Sequence, residues 1–230
     1  MEFLWCITVT TCIGIGFKLF GRFKINTFNA IVINYTVCLI LGTLIGKESG
    51  WPFSGAILQA KWFSFDVILG LMFIVGFNLT ANSIQQAGIT MTTLIQRMSI
   101  ILTVSFTVIL FHEHFGWLEL CGLLLALMAI IAINQKTSSL SIKLSGPFPL
   151  ILMAVLVISA AIEILLYYVE KTGLVGNDQI AFTTHGFGCA AIFGWVSLVW
   201  LAFKKKLKLT GRDVIAGILL GIPNFFSIFL

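Results

Sequence analysis

Eight runs of about twenty mostly apolar residues, parted by short connectors, constrain this chain more than any other feature. A helix needs that length to cross the hydrocarbon core of a bilayer. The runs cover residues 3–20, 27–45, 67–86, 91–111, 117–134, 147–168, 179–203 and 214–230. Period-two alternation with a turn signal every ten residues is missing, which argues against a β-barrel. Only 10% of the 230 residues are charged, against about 25% in soluble domains, and 59% are apolar. That charge cannot cover a water-facing surface of this size, and the same figures exclude disorder. The expectation is an all-α, multi-pass integral membrane protein with the lipid bilayer as its main partner.

The net charge of +5 would raise nucleic acid as a partner in a soluble protein. Here the basic residues lie in connectors, where they orient the chain, and no nucleic acid is expected. The odd-numbered connectors carry ten of them: Lys18, Arg22 and Lys24 in the first, Lys136 and Lys143 in the fifth, and Lys204, Lys205, Lys206, Lys208 and Arg212 in the seventh. The even connectors carry Lys47, Lys61 and Lys171. The positive-inside rule puts the odd connectors in the cytoplasm and the N-terminus outside. The seventh connector also offers a contact to lipid headgroups. Short loops without long tails suit a bacterial inner membrane. The first apolar run lacks a basic leader, so a cleavable signal peptide is not expected. Cys6, Cys12, Cys38, Cys121 and Cys189 have no ligand spacing and read as small buried hydrophobes.

The sequence Asp66-Val67-Ile68-Leu69-Gly70-Leu71 opens the third run, and Asp213-Val214-Ile215-Ala216-Gly217-Ile218 opens the eighth, 147 residues later. With gaps, Asn34-Tyr35 and Cys38 can be laid on His185-Gly186 and Cys189. A repeat unit of five helices, an odd number, re-enters the membrane from the other side, so the second copy is inverted, as in many transporters. On this reading residues 1–134 are a first five-helix repeat, 135–146 a cytoplasmic linker, and 147–230 three helices of a second. Eight helices are then present of ten. The expected remainder is about 50–60 residues, by the span-length rule.

The layout resembles the drug/metabolite transporter superfamily, in particular its EamA-type permeases with two five-helix repeats. The resemblance rests on Gly70-Leu71-Met72, on Asn82-Ser83-Ile84-Gln85-Gln86-Ala87-Gly88, on Leu110-Phe111-His112-Glu113-His114-Phe115, and on Gly122. In that family a Glu closes helix 4, and Glu113 occupies that place with a structural or capping role. The proline often found in that helix is absent, and Gln96-Arg97 stand in its neighbourhood. The resemblance implies a secondary transporter, commonly an exporter, moving a small-molecule solute such as a metabolite or drug through a central cavity by alternating access.

Charge inside hydrocarbon costs about 2.5–3.5 kcal/mol at a helix centre, so each internal ionisable group needs a reason. Glu163 shares one helical face with Ser159, Tyr167 and Glu170. A carboxyl on such a face could couple proton movement to transport, or be a structural group paired with a polar neighbour. Arg97, with Gln96, Ser99, Thr103 and Thr107, forms a polar stripe that could meet an anionic solute or Glu163, or snorkel to the nearby turn. His185, beside Gly186 and Gly188, is a proton relay or a hydrogen-bonded packing residue. Asn78, Asn82 and Gln85 share a face that either lines a path or ties helices together. Pro223-Asn224 breaks or kinks the last helix. Gly42-x3-Gly46 and Gly217-x3-Gly221 read as packing motifs within the chain.

No metal site is expected, because His112 and His114 lack the i, i+4 spacing of helical zinc ligands. No cofactor is expected either. Neither a phosphate-cradling GxxxxGK[ST] nor a GxSxG occurs, so the chain is not read as an enzyme. The competing classes are a membrane-embedded enzyme using Glu163 and His185, and a non-transporting assembly subunit. Oligomeric state is not readable.

Overall fold

The computed structural model describes residues 2–46, 59–111, 148–176, 179–206 and 208–229, with isolated positions 116, 117, 121, 122, 124, 125 and 128 between them. Glu113, the fifth run as a span and the 135–146 linker lie outside the described residues. Seven helices and no strand are present among those described. They are α1 (Glu2–Arg22), α2 (Thr27–Ile45), α3 (Phe63–Ala87), α4 (Ile89–Phe111), α5 (Phe148–Lys171), α6 (Gln179–Phe203) and α7 (Gly211–Phe229). Stretches within α2, α3, α4, α5 and α6 are long and apolar enough to cross a membrane. The apolar runs therefore place these helices to within a few residues.

The helix ends follow from local chemistry. Asn26, in an extended conformation, caps α2 by accepting from the Asn29 N–H at 3.3 Å. Gly88 has φ of +86°, which an L side chain adopts with difficulty, and it ends α3 one residue before α4 begins. So tight a turn makes α3 and α4 antiparallel neighbours. A buried hydrogen bond between the Ser83 and Thr92 hydroxyls, 2.8 Å long, ties them near it.

The core lies where α2, α3, α6 and α7 meet. Tyr35 stacks with Phe73 and touches Phe77 and Phe187, and its hydroxyl donates to the Phe73 carbonyl at 2.9 Å. Glycines set the helix spacing. A Cβ on Gly70 would lie 2.5 Å from the Cys189 Cβ and 3.0 Å from the Gly186 carbonyl. One on Gly217 would lie 2.5 Å from the Ile33 Cβ and 2.6 Å from the Ala30 carbonyl. Gly42 and Gly46 meet Thr184 and Ile180 of α6, and Gly221 meets Val37 of α2. These motifs join helices of one chain.

Packing runs crosswise. Helices α1 and α2 rest mainly on α7, α5 and α6 rest on α3, and α2 crosses α6. Helix α4 lies against α5. An aspartate at the start of α3 and another at the start of α7 each reach one of these partners. Asp213 accepts from the Asn26 N–H at 2.9 Å, the Asn29 amide at 3.1 Å and the Thr210 N–H at 2.9 Å. Asn29 also donates to the Lys208 carbonyl at 2.9 Å, which brings the first and seventh connectors together.

Two expectations need correction. Cys12 and Cys121 are exposed, while Cys38 and Cys189 are buried. Apolar character in this chain marks contact with lipid as well as with the core, so it did not separate the two. Pro223 does not break its helix either, which leaves the other reading, a tolerated kink. Because Pro223 lacks an N–H, it leaves the Leu219 carbonyl without its usual partner while the helix continues.

Asp213 generates a prediction. Burial alone would push its carboxyl up, but the donors on Thr210, Asn26 and Asn29 outweigh it and hold the carboxyl below its ordinary value. A group lowered by folding stabilises fully above its unfolded pKa, about 3.9, and loses that contribution as the pH falls through its folded value. Asp213→Ala should therefore cost about 2 kcal/mol at pH 7. Thermal unfolding in detergent should show the gap between wild type and variant shrinking as the pH falls below the ordinary carboxylate range; a gap that stays constant with pH would contradict this.

Candidate functional site

A cavity of about 320 Å³ opens between α1, α3, α4, α5 and α7. Its polar wall comes from Thr10, Thr80, Thr93, Gln96, Ser159, Glu163, Asn224 and Ser227, and its aromatic wall from Phe17, Phe73 and Phe77. Glu163 is the only ionisable side chain among its described lining residues.

Glu163 lies on α5 about 5 Å of helix rise from the midpoint of that helix. Ser99 and Thr103, one turn apart on α4, face it. The Ser99 hydroxyl donates to Oε1 at 2.8 Å and the Thr103 hydroxyl to Oε2 at 2.7 Å. Each hydroxyl also has a second acceptor in reach on its own helix, the Gln96 carbonyl for Ser99 and the Ser99 carbonyl, at 3.1 Å, for Thr103. A hydroxyl has one proton to give. With Glu163 ionised, both hydroxyls donate to it in charge-assisted bonds. With Glu163 protonated, its own O–H donates to one hydroxyl, which turns its proton to the helix carbonyl. The geometry thus satisfies both protonation states in a place where an unpaired charge would be costly.

The other expected residues divide between cavity and scaffold. Gln96 faces the cavity and donates to the Thr80 hydroxyl at 3.2 Å. Asn224 also lines it, and its amide reaches the Cys38 sulfur at 3.5 Å. Ser159 stands in the wall beside Glu163. Tyr167 lies beyond the cavity with its ring edge-on to Phe111 at 5.6 Å. Arg97 is exposed and outside the lining; Ser99 and Thr103 hold Glu163 instead. Asn78 donates to the Ile74 carbonyl of its own helix at 2.7 Å, Asn82 is exposed, and Gln85 donates to the Thr27 hydroxyl at 2.9 Å. Their shared face therefore does not converge on the cavity. Thr10, Thr80, Thr93 and Ser227 do line it, and sequence reasoning missed them because single hydroxyls are common in apolar helices.

His185 belongs to a separate cluster. Its Nδ1 lies 2.6 Å from Asp66 Oδ2, with both side chains almost wholly buried. The rings of Trp62 and Phe63 pack on it at 5.7 and 5.3 Å. Gly186 leaves room for the carboxylate, since a Cβ there would lie 2.6 Å from Asp66 Oδ1. This contact fastens the start of α3 to α6. Asp66 had stood out only as the first residue of a repeated hexapeptide, just ahead of the third apolar run. Removing one partner strands the other in the interior. Asp66→Ala and His185→Ala should each cost about 3 kcal/mol, and the double variant clearly less than the sum. Unfolding of the three variants in detergent measures this, and simple additivity would contradict the pairing.

An uncharacterized protein of Haemophilus influenzae is 25% identical over 227 residues, covering 98% of this chain and 76% of the relative. No solved structure matches the chain. Residues 1–135 match the family model described as the EamA-like transporter family, part of the drug/metabolite transporter superfamily. That match takes in more than half of the chain, and the protein belongs to the EamA-like transporter family.

Proposed function

We propose that the protein is a secondary transporter that moves a small metabolite or drug-like solute through the cavity between α1, α3, α4, α5 and α7 by alternating access, with Glu163 as its proton-coupling group. The observation that carries this reading is the pair of hydroxyls on Glu163, which keeps both of its protonation states hydrogen-bonded. A coupling group must occupy both states during each cycle, and a merely structural carboxyl has no such need. The cavity wall combines this one acid with amides, hydroxyls and three phenylalanine rings. That lining suits a neutral or cationic solute with an apolar part, and cations gain further from the ring faces. Outward direction and a bacterial inner membrane rest on the family and on the loop pattern.

The reading includes an inverted repeat, with residues 1–134 as one unit and 147–230 belonging to a second. The crosswise packing supports it. Asp66 meets His185 of α6 while Asp213 meets Asn29 of α2, and Gly70 meets Gly186 and Cys189 while Gly217 meets Ala30 and Ile33. These contacts pair Asn29, Ala30 and Ile33 with His185, Gly186 and Cys189. That register differs from the gapped alignment, which laid Asn34 on His185, and we propose it in its place. The odd connectors, being the more basic, are the cytoplasmic ones in this reading.

The test uses protein reconstituted in proteoliposomes containing a pH-sensitive dye and challenged with pools of small metabolites. Glu163→Gln should abolish proton movement coupled to solute entry. Ser99→Ala with Thr103→Val should slow coupled flux roughly tenfold and shift its pH dependence, because the carboxylate loses both donors. Unchanged coupled flux in Glu163→Gln removes the coupling role, and saturable flux without proton movement leaves transport with a different driving force.

A further inference from the structure

The end of the bundle that carries the first and seventh connectors is strongly basic. Lys18, Arg22, Lys24, Lys204, Lys205, Lys206, Lys208 and Arg212 are all exposed there. The one acid described in these two connectors and at the start of α7, Asp213, is buried and occupied by Asn26, Asn29 and Thr210. The same hydrogen bonds bring the two connectors side by side. Lys24 is two residues from Asn26, and Arg212 is next to Asp213, which accepts from the Asn26 N–H.

Beneath this basic surface an apolar groove of about 340 Å³ runs between α1 and α7. It reaches from Phe23 and Ile25 at the connector to Cys12 and Pro223 deeper in the bundle, and its described lining has no polar side chain apart from the Cys12 thiol. From Phe23 to Cys12 the helix rises about 16 Å, roughly half of a hydrocarbon core about 30 Å thick. That is the depth of one leaflet. Exposed Phe23, Trp200 and Phe203 mark the boundary between hydrocarbon and headgroups, and the Lys204 ammonium lies 3.7 Å over the Trp200 ring.

We infer that this groove is a binding site for an anionic glycerophospholipid, with one acyl chain along α1 and α7 and the phosphate held by Arg22, Lys24 and Arg212. Charge complementarity selects an anionic headgroup over a zwitterionic one. The continuity of groove and basic rim separates a lipid from a free phosphate, which would use the rim alone. The inference stands independently of the transport reading.

The test is native mass spectrometry of the full, delipidated protein in detergent, titrated with dioleoyl phosphatidylglycerol or dioleoyl phosphatidylcholine, with thermal melting in parallel. The phosphatidylglycerol should be retained as a single adduct at a concentration at least tenfold lower than the phosphatidylcholine, and should raise the melting temperature. Changing Arg22, Lys24 and Arg212 together to Gln, all at the exposed surface, should remove that preference. Leu19→Trp, which fills the groove and leaves the charges in place, should weaken retention of both lipids, and inorganic phosphate should not displace the adduct. Equal retention of the two lipids by the wild type, or an undiminished preference in the charge variant, overturns the proposal. So does full retention in Leu19→Trp with displacement by phosphate, which means a headgroup contact only. A protein dimer in place of the lipid adduct also overturns it, by giving the groove to a second copy.

Discussion

Helices in a bilayer gain little by hiding apolar surface from lipid that is itself apolar, so close backbone approach and paired polar groups must hold them together. Everything in this bundle depends on that constraint. Gly70 lets α3 sit against α6, and Gly217 and Gly221 let α7 sit against α2. At the start of each of those helices an aspartate then locks onto the helix beside it, Asp66 onto His185 and Asp213 onto Asn29. A side chain at Gly70 or Gly217 would meet backbone of the facing helix as well as side chains, which leaves little to relax. With these four helices fixed, α1, α4 and α5 close the cavity around their remaining faces.

Within that frame the carboxylate of Glu163, half-buried, has an environment unlike those of the buried acids Asp66 and Asp213. Asp213 receives backbone and amide donors, and Asp66 a histidine, each in a contact that joins two helices at an end of the bundle. Glu163 receives two hydroxyls whose protons have somewhere else to go. The first two arrangements hold the bundle together at its ends, whereas the third joins α4 to α5 beside the cavity. The same α4–α5 contact that seats Glu163 also forms one wall of the cavity.

The apolar runs made most of the fold legible, because a bilayer imposes a length and a polarity that can be read residue by residue. α2 and α6 begin and end where their runs do, and the Asp-x3-Gly repeat pointed to the two helices that the structure packs crosswise. The site was legible only in part. Glu163 stood out as a charge where charge is expensive, and Ser159, Gln96 and Asn224 stood with it. Facing was not legible, since in a helix surrounded by lipid a polar residue can turn inward, bond to its own backbone or reach a connector. Asn78 bonds to its own helix, Gln85 reaches Thr27 at the start of α2, and Asn82 and Arg97 are exposed. The Asp66–His185 pair needed knowledge of which helices touch, which no spacing within either run contains.

The central claim is that the cavity bearing Glu163 is a path reached from each side of the membrane in turn. Its most direct test is a cysteine at Thr80, which lines the same cavity as Glu163, in a cysteine-free background, treated with a membrane-impermeant thiol reagent in right-side-out and inside-out vesicles. The account predicts modification in both orientations, with slower reaction when Glu163→Gln holds the carrier in one state. Reaction in neither orientation, or from one side alone in the unaltered carrier, would contradict it.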